Sequence, residues 1–365
     1  MTLFFYVARR FMAAFLRVLI IITAIVLLLE TVENVRRFSD QPDSLSKIVF
    51  MTALKLPSAI DQIMPLVILI SSLTLFLGLA RSSELVICRA SSVSGIRLVL
   101  VPVLIAMVMG FLSIALLNPL TAATIKRYTE LRAEMSDSRQ SILSISDEGL
   151  WLRQVVDGKN TVIQARRASP DGTVLHGAEF HVFDDKNILH ERVIATRATL
   201  NNAEWVLSDA RRWSINRDAA LPTRTERLKS AKIATNLTSD QILDSFAPPQ
   251  TISFWDMPKF IAQLEISGFT ATRHKQFYHS TLALPALFAA MVLIGAGFTM
   301  RHVRFGNVGI MVIFAVLTGF ALYFMRNIAG SLGSAGEVPI LIAAWAPPIA
   351  SMLLVIGLLL HLEDG

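Results

Sequence analysis

Five stretches of this chain, residues 62–80, 98–125, 276–300, 305–325 and 338–362, contain no aspartate, glutamate, lysine or arginine. Each is apolar enough to cross about 30 Å of hydrocarbon as a helix, a distance that takes about 20 residues. A sixth, residues 11–29, is interrupted only by Arg17, whose long stem can carry its guanidinium to the nearer interface. A water-soluble fold has no use for six such runs, and the composition agrees. The chain is 53% hydrophobic and 17% charged, where a soluble domain is about 25% charged; the mean hydropathy is +0.54. The reading is a helical membrane protein with six spans. Pro57 and Pro65 predict a kinked or frayed entry to the second. Arg9 and Arg10 precede the first run, but Glu30, Thr31 and Val32 follow it with no small-residue cleavage site. That predicts an uncleaved first helix and not a signal peptide.

Residues 126–275 are different in kind. They hold 21 of the 34 basic and 19 of the 28 acidic residues, a net charge of +2, and so predict a water-soluble domain set between the third and fourth spans. Short runs with period-two alternation and β-branched or aromatic residues fall at 150–152, 161–165, 178–183, 192–200, 205–207 and 232–237. Turn signals separate them at Asp157-Gly158, Pro170-Asp171-Gly172, 184–187 and Asn201-Asn202. Six or more strands at this spacing suggest an antiparallel sandwich or jelly roll. Pro248-Pro249 ends it, and 254–266 reads as an amphipathic helix stopped by Gly268. The chain therefore divides into three spans (1–125), a β domain with its connecting helix (126–275), and three spans (276–365). With the amino terminus inside, the short cytoplasmic segments carry Arg9, Arg10, Arg81, Arg89, Arg97, Arg301 and Arg304. The opposite side carries Arg36, Arg37, Lys47, Lys55 and Arg326. This bias predicts cytoplasmic termini and a β domain across the membrane from them.

The formal charge of +6 does not indicate nucleic acid, because basic residues in a membrane protein mark cytoplasmic loops or anionic lipid. A single cysteine, Cys88, excludes an intrachain disulfide and a multi-cysteine metal site. There is no P-loop; Asp157-Gly158-Lys159-Asn160 reads as a hairpin turn. His190-Glu191 is followed by Arg-Val-Ile and is no zinc-protease helix, and no nucleophile elbow is present. His279 near the top of the fourth span reads as an interfacial histidine before it reads as a functional one. Gly330, Gly333 and Gly336 predict a loop before the sixth helix. No mid-membrane charge is expected after Arg17, which argues against a buried carboxylate relay.

One cytoplasmic segment stands out, Arg81-Ser-Ser-Glu-Leu-Val-Ile-Cys-Arg-Ala-Ser-Ser-Val-Ser-Gly95. Ser82 or Ser83 can cap a helix, Glu84 suits its positive end and Gly95 can close it, giving a short helix near 82–95. Leu85, Val86 and Cys88 form an apolar side. Such a helix either rests on lipid or docks into a groove on a soluble partner.

The run Ser83-Glu84-Leu85-Val86-Ile87-Cys88-Arg89-Ala90-Ser91 resembles the coupling-helix motif of the LptF/LptG permeases of lipopolysaccharide export, and so does the arrangement of three spans, β domain, three spans. Glu148-Gly149-Leu150-Trp151 and the basic pair Arg36-Arg37 resemble the LptG branch; Pro285 in the fourth helix and the proline-rich entry to the sixth also fit. The resemblance covers essentially the whole chain. It implies a permease subunit of an ABC-type transporter, in the bacterial inner membrane with a periplasmic β jelly roll. An LptF-like second permease, an LptB-like ATPase dimer and an LptC-like bridge protein would be its partners. This chain would then be no enzyme and bind no cofactor, ATP and magnesium belonging to the ATPase. Glu84, Leu85 and Arg89 would couple to that ATPase. Arg36 and Arg37 would bind lipid A phosphates, since guanidinium matches phosphate bidentately. Phe180, Val182, Trp205 and Leu207 would line an acyl-chain slot in the β domain, although an ordinary sandwich core accounts for the same four. Ser92 stands where the family has glycine. Glu30 stands where LptG-like chains often carry a basic residue, which leaves two cations at that rim. The other reading open to the sequence is a membrane-anchored assembly protein that moves no substrate.

Overall fold

The computed structural model describes residues 2–38, 44–82, 84, 95–135, 143–146, 149–156, 159–169, 172–183, 188–201, 204–214, 224–235, 237–238, 242, 248–299 and 308–364. Two compact units emerge: Met1–Leu131 with Thr272–Gly365, and Arg132–Ala271.

The first unit is helical: α1 (Thr2–Phe38), α2 (Ser44–Arg81), α3 (Gly95–Leu112), a π-helical turn (Ser113–Leu117), α4 (Asn118–Met135), α6 (Thr272–Leu282), α7 (Leu284–Thr299), α8 (Val308–Ala335) and α9 (Ile340–Asp364). Among the described residues, five helices are long and apolar enough to cross a membrane. A sixth span results if α6 and α7, bent by 48°, count as one. The break falls at Ala283, two residues before Pro285, which has no N–H to donate to the preceding turn and crowds the carbonyl four residues back. Nearly every residue of α7 is buried. It packs on α2, α3, α8 and α9, as a helix that is apolar all round must. Outward faces of α1 and α8 expose Ile20, Ile21, Leu28, Phe314, Leu317 and Phe324, surface that only lipid or another apolar partner can cover.

Three expectations are corrected here. The entry to the second span is not frayed: α2 begins at Ser44 and continues through Pro57 and Pro65. Gly330 and Gly333 are helical, α8 running to Ala335 before Gly336 turns the chain at φ +82°. The space demands it: a Cβ on Gly333 would press into Gln276 and Ala343. Charges do occur within the spans, since Asp61 lies midway along α2 and Arg326 within α8.

The second unit is a seven-stranded antiparallel sheet: β1 (Leu143–Ser146), β2 (Gly149–Val156), β3 (Lys159–Ala168), β4 (Val174–Phe183), β5 (Leu189–Asn201), β6 (Glu204–Ser214) and β7 (Arg224–Ala234), paired in chain order. It is not flat. Gln154 of β2 donates to the Ala234 carbonyl at the end of β7 (3.1 Å) and accepts from Thr235 (2.6 Å). Five strand spacings of about 4.8 Å would hold β2 and β7 about 24 Å apart in a plane. The sheet therefore rolls over one core, the all-β insert expected from the sequence, with each strand beside its sequence neighbours.

The roll has a crease. One residue per strand is skipped in the pairing, at Arg166, Gly177, Thr196, Asp209 and Lys229. Inward-facing residues consequently step by three across it: Ala165 to Ala168, Leu175 to Ala178, Ala195 to Ala198, Leu207 to Ala210, Leu228 to Ala231. Each strand thus turns two consecutive residues outward at the same level. On this core packs α5 (Met257–Ile266), which adds Leu264 to it and lays Phe260 and Ile261 against it. The helix stops where Gly268 adopts φ +92° and the Gly268 and Phe269 amides bond back to Glu265 and Leu264, the paired closure that favours glycine at this position. Here a Cβ would strike the Ala168 carbonyl oxygen.

Candidate functional site

At one end of the helical unit, Glu84 follows α2 by three residues and is gripped by α1. Arg10 donates through Nη1 to Glu84 Oε2 (2.7 Å) and to the Tyr6 hydroxyl (2.8 Å), and that hydroxyl donates to the same Oε2 (2.9 Å). The guanidinium carbon lies 5.4 Å from the Tyr6 ring centroid. Tyr6 and Arg10 are spaced by one helical turn, so a single face of α1 presents both groups. Partial burial acts to raise the Glu84 carboxyl. Hydrogen bonds from Ser82, Arg10 and Tyr6 outweigh it and hold the group below its ordinary value. The site is a carboxylate fixed in its charged form at the head of the segment 85–94. Leu85 and Arg89 lie outside the described residues, as does the rest of the expected short helix.

At the other end of α1, Arg36 is exposed and the Arg37 side chain lies outside the described residues. Lys55 of α2 bridges to Glu30 (2.7 Å), and Asn34 bonds to Thr52 (3.0 Å) in a buried contact. Glu30 thus neutralises Lys55 at this end of α1. The ends of α1 are locked to α2 while Arg36 faces outward.

Between the two ends runs a polar seam. Ser113, which opens the π-helical turn, donates to Asp61 (2.9 Å). Arg326 reaches the Ser280 carbonyl (3.4 Å), and Gln276 bonds to the Ser280 hydroxyl (3.1 Å). The buried Gln276 Oε1 and His279 Nδ1 have no hydrogen-bond partner. Among the described residues no cluster of side chains fits a metal ion.

In the β domain, Phe180, Trp205 and Leu207 are fully buried. Phe180 and Trp205 meet edge to face at 6.4 Å. Val182 is partly exposed at the end of β4. The three buried residues belong to the core of the roll, and Trp205 Nε1 is buried without an acceptor.

The sequence singles out Glu84 but gives no indication that Tyr6 and Arg10 hold it. In the sequence Arg10 figures only as a charge that sets orientation. The spacing Tyr6-x-x-x-Arg10 beside a lone carboxylate was the available signal, but nothing local links residue 10 to residue 84. Asp61 and Arg326 were missed because each borders a charge-free run, and only the longer observed helices bring them inside.

Spanning helices wrapped around a buried α7, with a rolled β sheet inserted between the third and fourth, define a multi-pass membrane protein of permease architecture. The family described as lipopolysaccharide export system permease LptF/LptG matches residues 5–361. The chain belongs to that family and is a multi-pass protein of the bacterial inner membrane. It is similar to the lipopolysaccharide export system permease protein LptG of Haemophilus influenzae, at 23% identity over 361 residues and 98% of each chain. The protein of the same name from Escherichia coli K12 is 24% identical over 312 residues, 85% of this chain and 84% of the relative.

Proposed function

We propose that the chain is one of two permease subunits of an ATP-driven exporter that lifts lipopolysaccharide from the inner membrane and passes it to a periplasmic bridge. The observation that carries this is the family match, which runs unbroken through both helical halves and the β domain between them. An LptF-like subunit would complete a lateral opening, and the apolar outward faces of α1 and α8 are surfaces it can share with lipid. An LptB-like ATPase dimer would supply the ATP and magnesium chemistry, and an LptC-like protein the bridge.

Glu84 would serve as the coupling carboxylate. Held charged by Arg10 and Tyr6, it is ready to meet a basic group on the ATPase, with Leu85 and Arg89 beside it in the same interface. A motion of the ATPase that pulls on Glu84 is passed to α1 through the Arg10 bond. That helix carries Arg36 and Arg37 at its far end, where lipid A phosphates would be neutralised. The β domain would receive acyl chains along Phe180, Val182, Trp205 and Leu207, which requires the packed core to open around them; the unbonded Trp205 Nε1 would then find an acceptor. The deciding experiment is purification of the intact membrane complex with mass spectrometry of its proteins and lipid. A complex containing an ATPase, a second permease and lipopolysaccharide is expected. A chain that recruits no ATPase and carries no lipopolysaccharide would show it to be a scaffold.

A further inference from the structure

The crease of the β domain gathers charge in a way that works against the fold. Its outward residues line a groove of about 1010 Å³ that includes Arg166, Arg167, Arg211, Arg227, Lys229 and Trp213. Arg211 and Arg227 stand directly opposite one another in the β6–β7 register. Like charges facing each other across strands destabilise a sheet. Elsewhere on the same outer face, cations are matched with acids: Arg192 with Glu179, and Lys232 with Glu204. In the groove, five permanent cations face Asp209 as the single lining acid, and among the described residues no ion pair joins any of them to a carboxylate. A sheet that pairs its charges in two places and opposes them in a third is built to hold an anion in the third.

The chemistry of that anion follows from the lining. Four of the five cations are arginines, whose planar fork takes phosphate bidentately. The groove crosses the outer faces of β3 to β7, and its cations come from side chains of three strands, β3, β6 and β7. Its volume is far larger than one phosphate needs and falls at the upper end of the range for small-molecule sites. Trp213 also lines the groove; the Arg192 guanidinium lies over one side of its ring, 5.9 Å from the centroid, and the ring surface on the groove side is suited to the C–H face of a sugar. We propose that this groove is a binding site for a phosphorylated glycan, with Arg211 and Arg227 as the pair that takes the phosphate. The site is on the outside of the roll, separate from its core and from any acyl-chain slot within it.

The test uses the full chain in nanodiscs of neutral lipid and a water-soluble probe, the phosphorylated oligosaccharide left after complete deacylation of lipopolysaccharide. Because the probe has no acyl chains, its binding does not depend on the proposed transport activity. Wild-type protein is expected to bind it with an affinity that falls steeply with salt. Arg211→Gln/Arg227→Gln is expected to weaken binding at least about tenfold while thermal stability stays level or rises, since a repulsion has been removed. Arg211→Lys/Arg227→Lys is expected to recover part of the loss. Enzymatic removal of the probe's phosphates should weaken wild-type binding as much as the glutamine variant does. Equal binding by wild type and the glutamine variant overturns the proposal, as does equal binding of the dephosphorylated probe. Displacement of the probe by phosphatidylglycerol vesicles as readily as by unlabelled probe also overturns it, because the groove is then a surface for anionic lipid.

Discussion

Glu84 is the residue on which two roles meet. Its bridge to Arg10 is about one-third exposed on both sides, so the bond alone contributes under about 1 kcal/mol. Arg10→Ala should therefore leave the chain folded and the ATPase bound, lowering only how strongly ATP hydrolysis is coupled to lipid movement. Glu84→Ala and Glu84→Gln remove the group meant for the partner. If that interface pair is buried, its loss commonly costs about 2–5 kcal/mol, and quantitative co-purification should show the ATPase falling below wild-type stoichiometry. Retention of both ATPase and export rate in these variants would reduce Glu84 to a helix-end residue. The pH dependence follows from the lowered Glu84 carboxyl. Its contribution to the α1 tie is complete above the ordinary value of 4.5 and is lost only as pH falls below that. Thermal melts from pH 7 downward should show a component at the acid end that Glu84→Gln removes. At the opposite end of α1, Arg36→Ala/Arg37→Ala should lower co-purified lipopolysaccharide at least tenfold if each phosphate contact contributes about 1.5–3 kcal/mol. Unchanged lipid in a stable complex would leave the pair as a solvated helix end.

At the scale of elements, the structure rests on close approaches that spacing rules do not reveal. Gly110 on α3 meets α7 so closely that a Cβ there would lie 2.5 Å from the Pro285 Cα. Small residues allow such contact between membrane helices. Gly110→Ala must push α3 off α7 at the point where α7 begins, and a cost of about 1–3 kcal/mol is expected from overpacking, measurable as a drop in the detergent-solubilised melting temperature. Gly268→Ala forces an L side chain into a left-handed conformation, about 1–2 kcal/mol before the collision with Ala168 is counted. It should loosen α5 from the roll, raising amide exchange over Met257–Ile266 while leaving exchange in α7 unchanged. The strands show why part of the sheet was legible and part was not. Runs 150–152 through 205–207 alternate and fall in β2 to β6. The first eight residues of β7, Arg-Thr-Glu-Arg-Leu-Lys-Ser-Ala, offer one large apolar side chain, and the run expected at 232–237 covers only the end of that strand. Pairing with β6 makes them a strand, not their own preference.

For the whole molecule, the open question of placement has a direct measurement. Single cysteines at Arg197 and Glu363 in a Cys88→Ser background, treated with a membrane-impermeant maleimide on cells with permeabilised outer membranes, should label at 197 and stay silent at 363. The reverse pattern would invert the topology and place the β domain in the cytoplasm. What the sequence determined alone was the partition of the chain. Charge-free runs of about 20 residues have only one stable destination, since a buried charge or an unsatisfied backbone group costs too much in hydrocarbon. A segment with a soluble protein's charge must lie outside it. Glu84 drew notice in the sequence as the carboxylate within a recognisable motif, but its partners did not. Tertiary structure decided what joins across distance: Arg10 to Glu84, Ser113 to Asp61, Gln154 to the end of β7, and the shared level at which five strands skip a residue. Each depends on two segments meeting after both have formed. Local periodicity describes which face a residue takes on its own element, and it carries no information about which other face will arrive opposite.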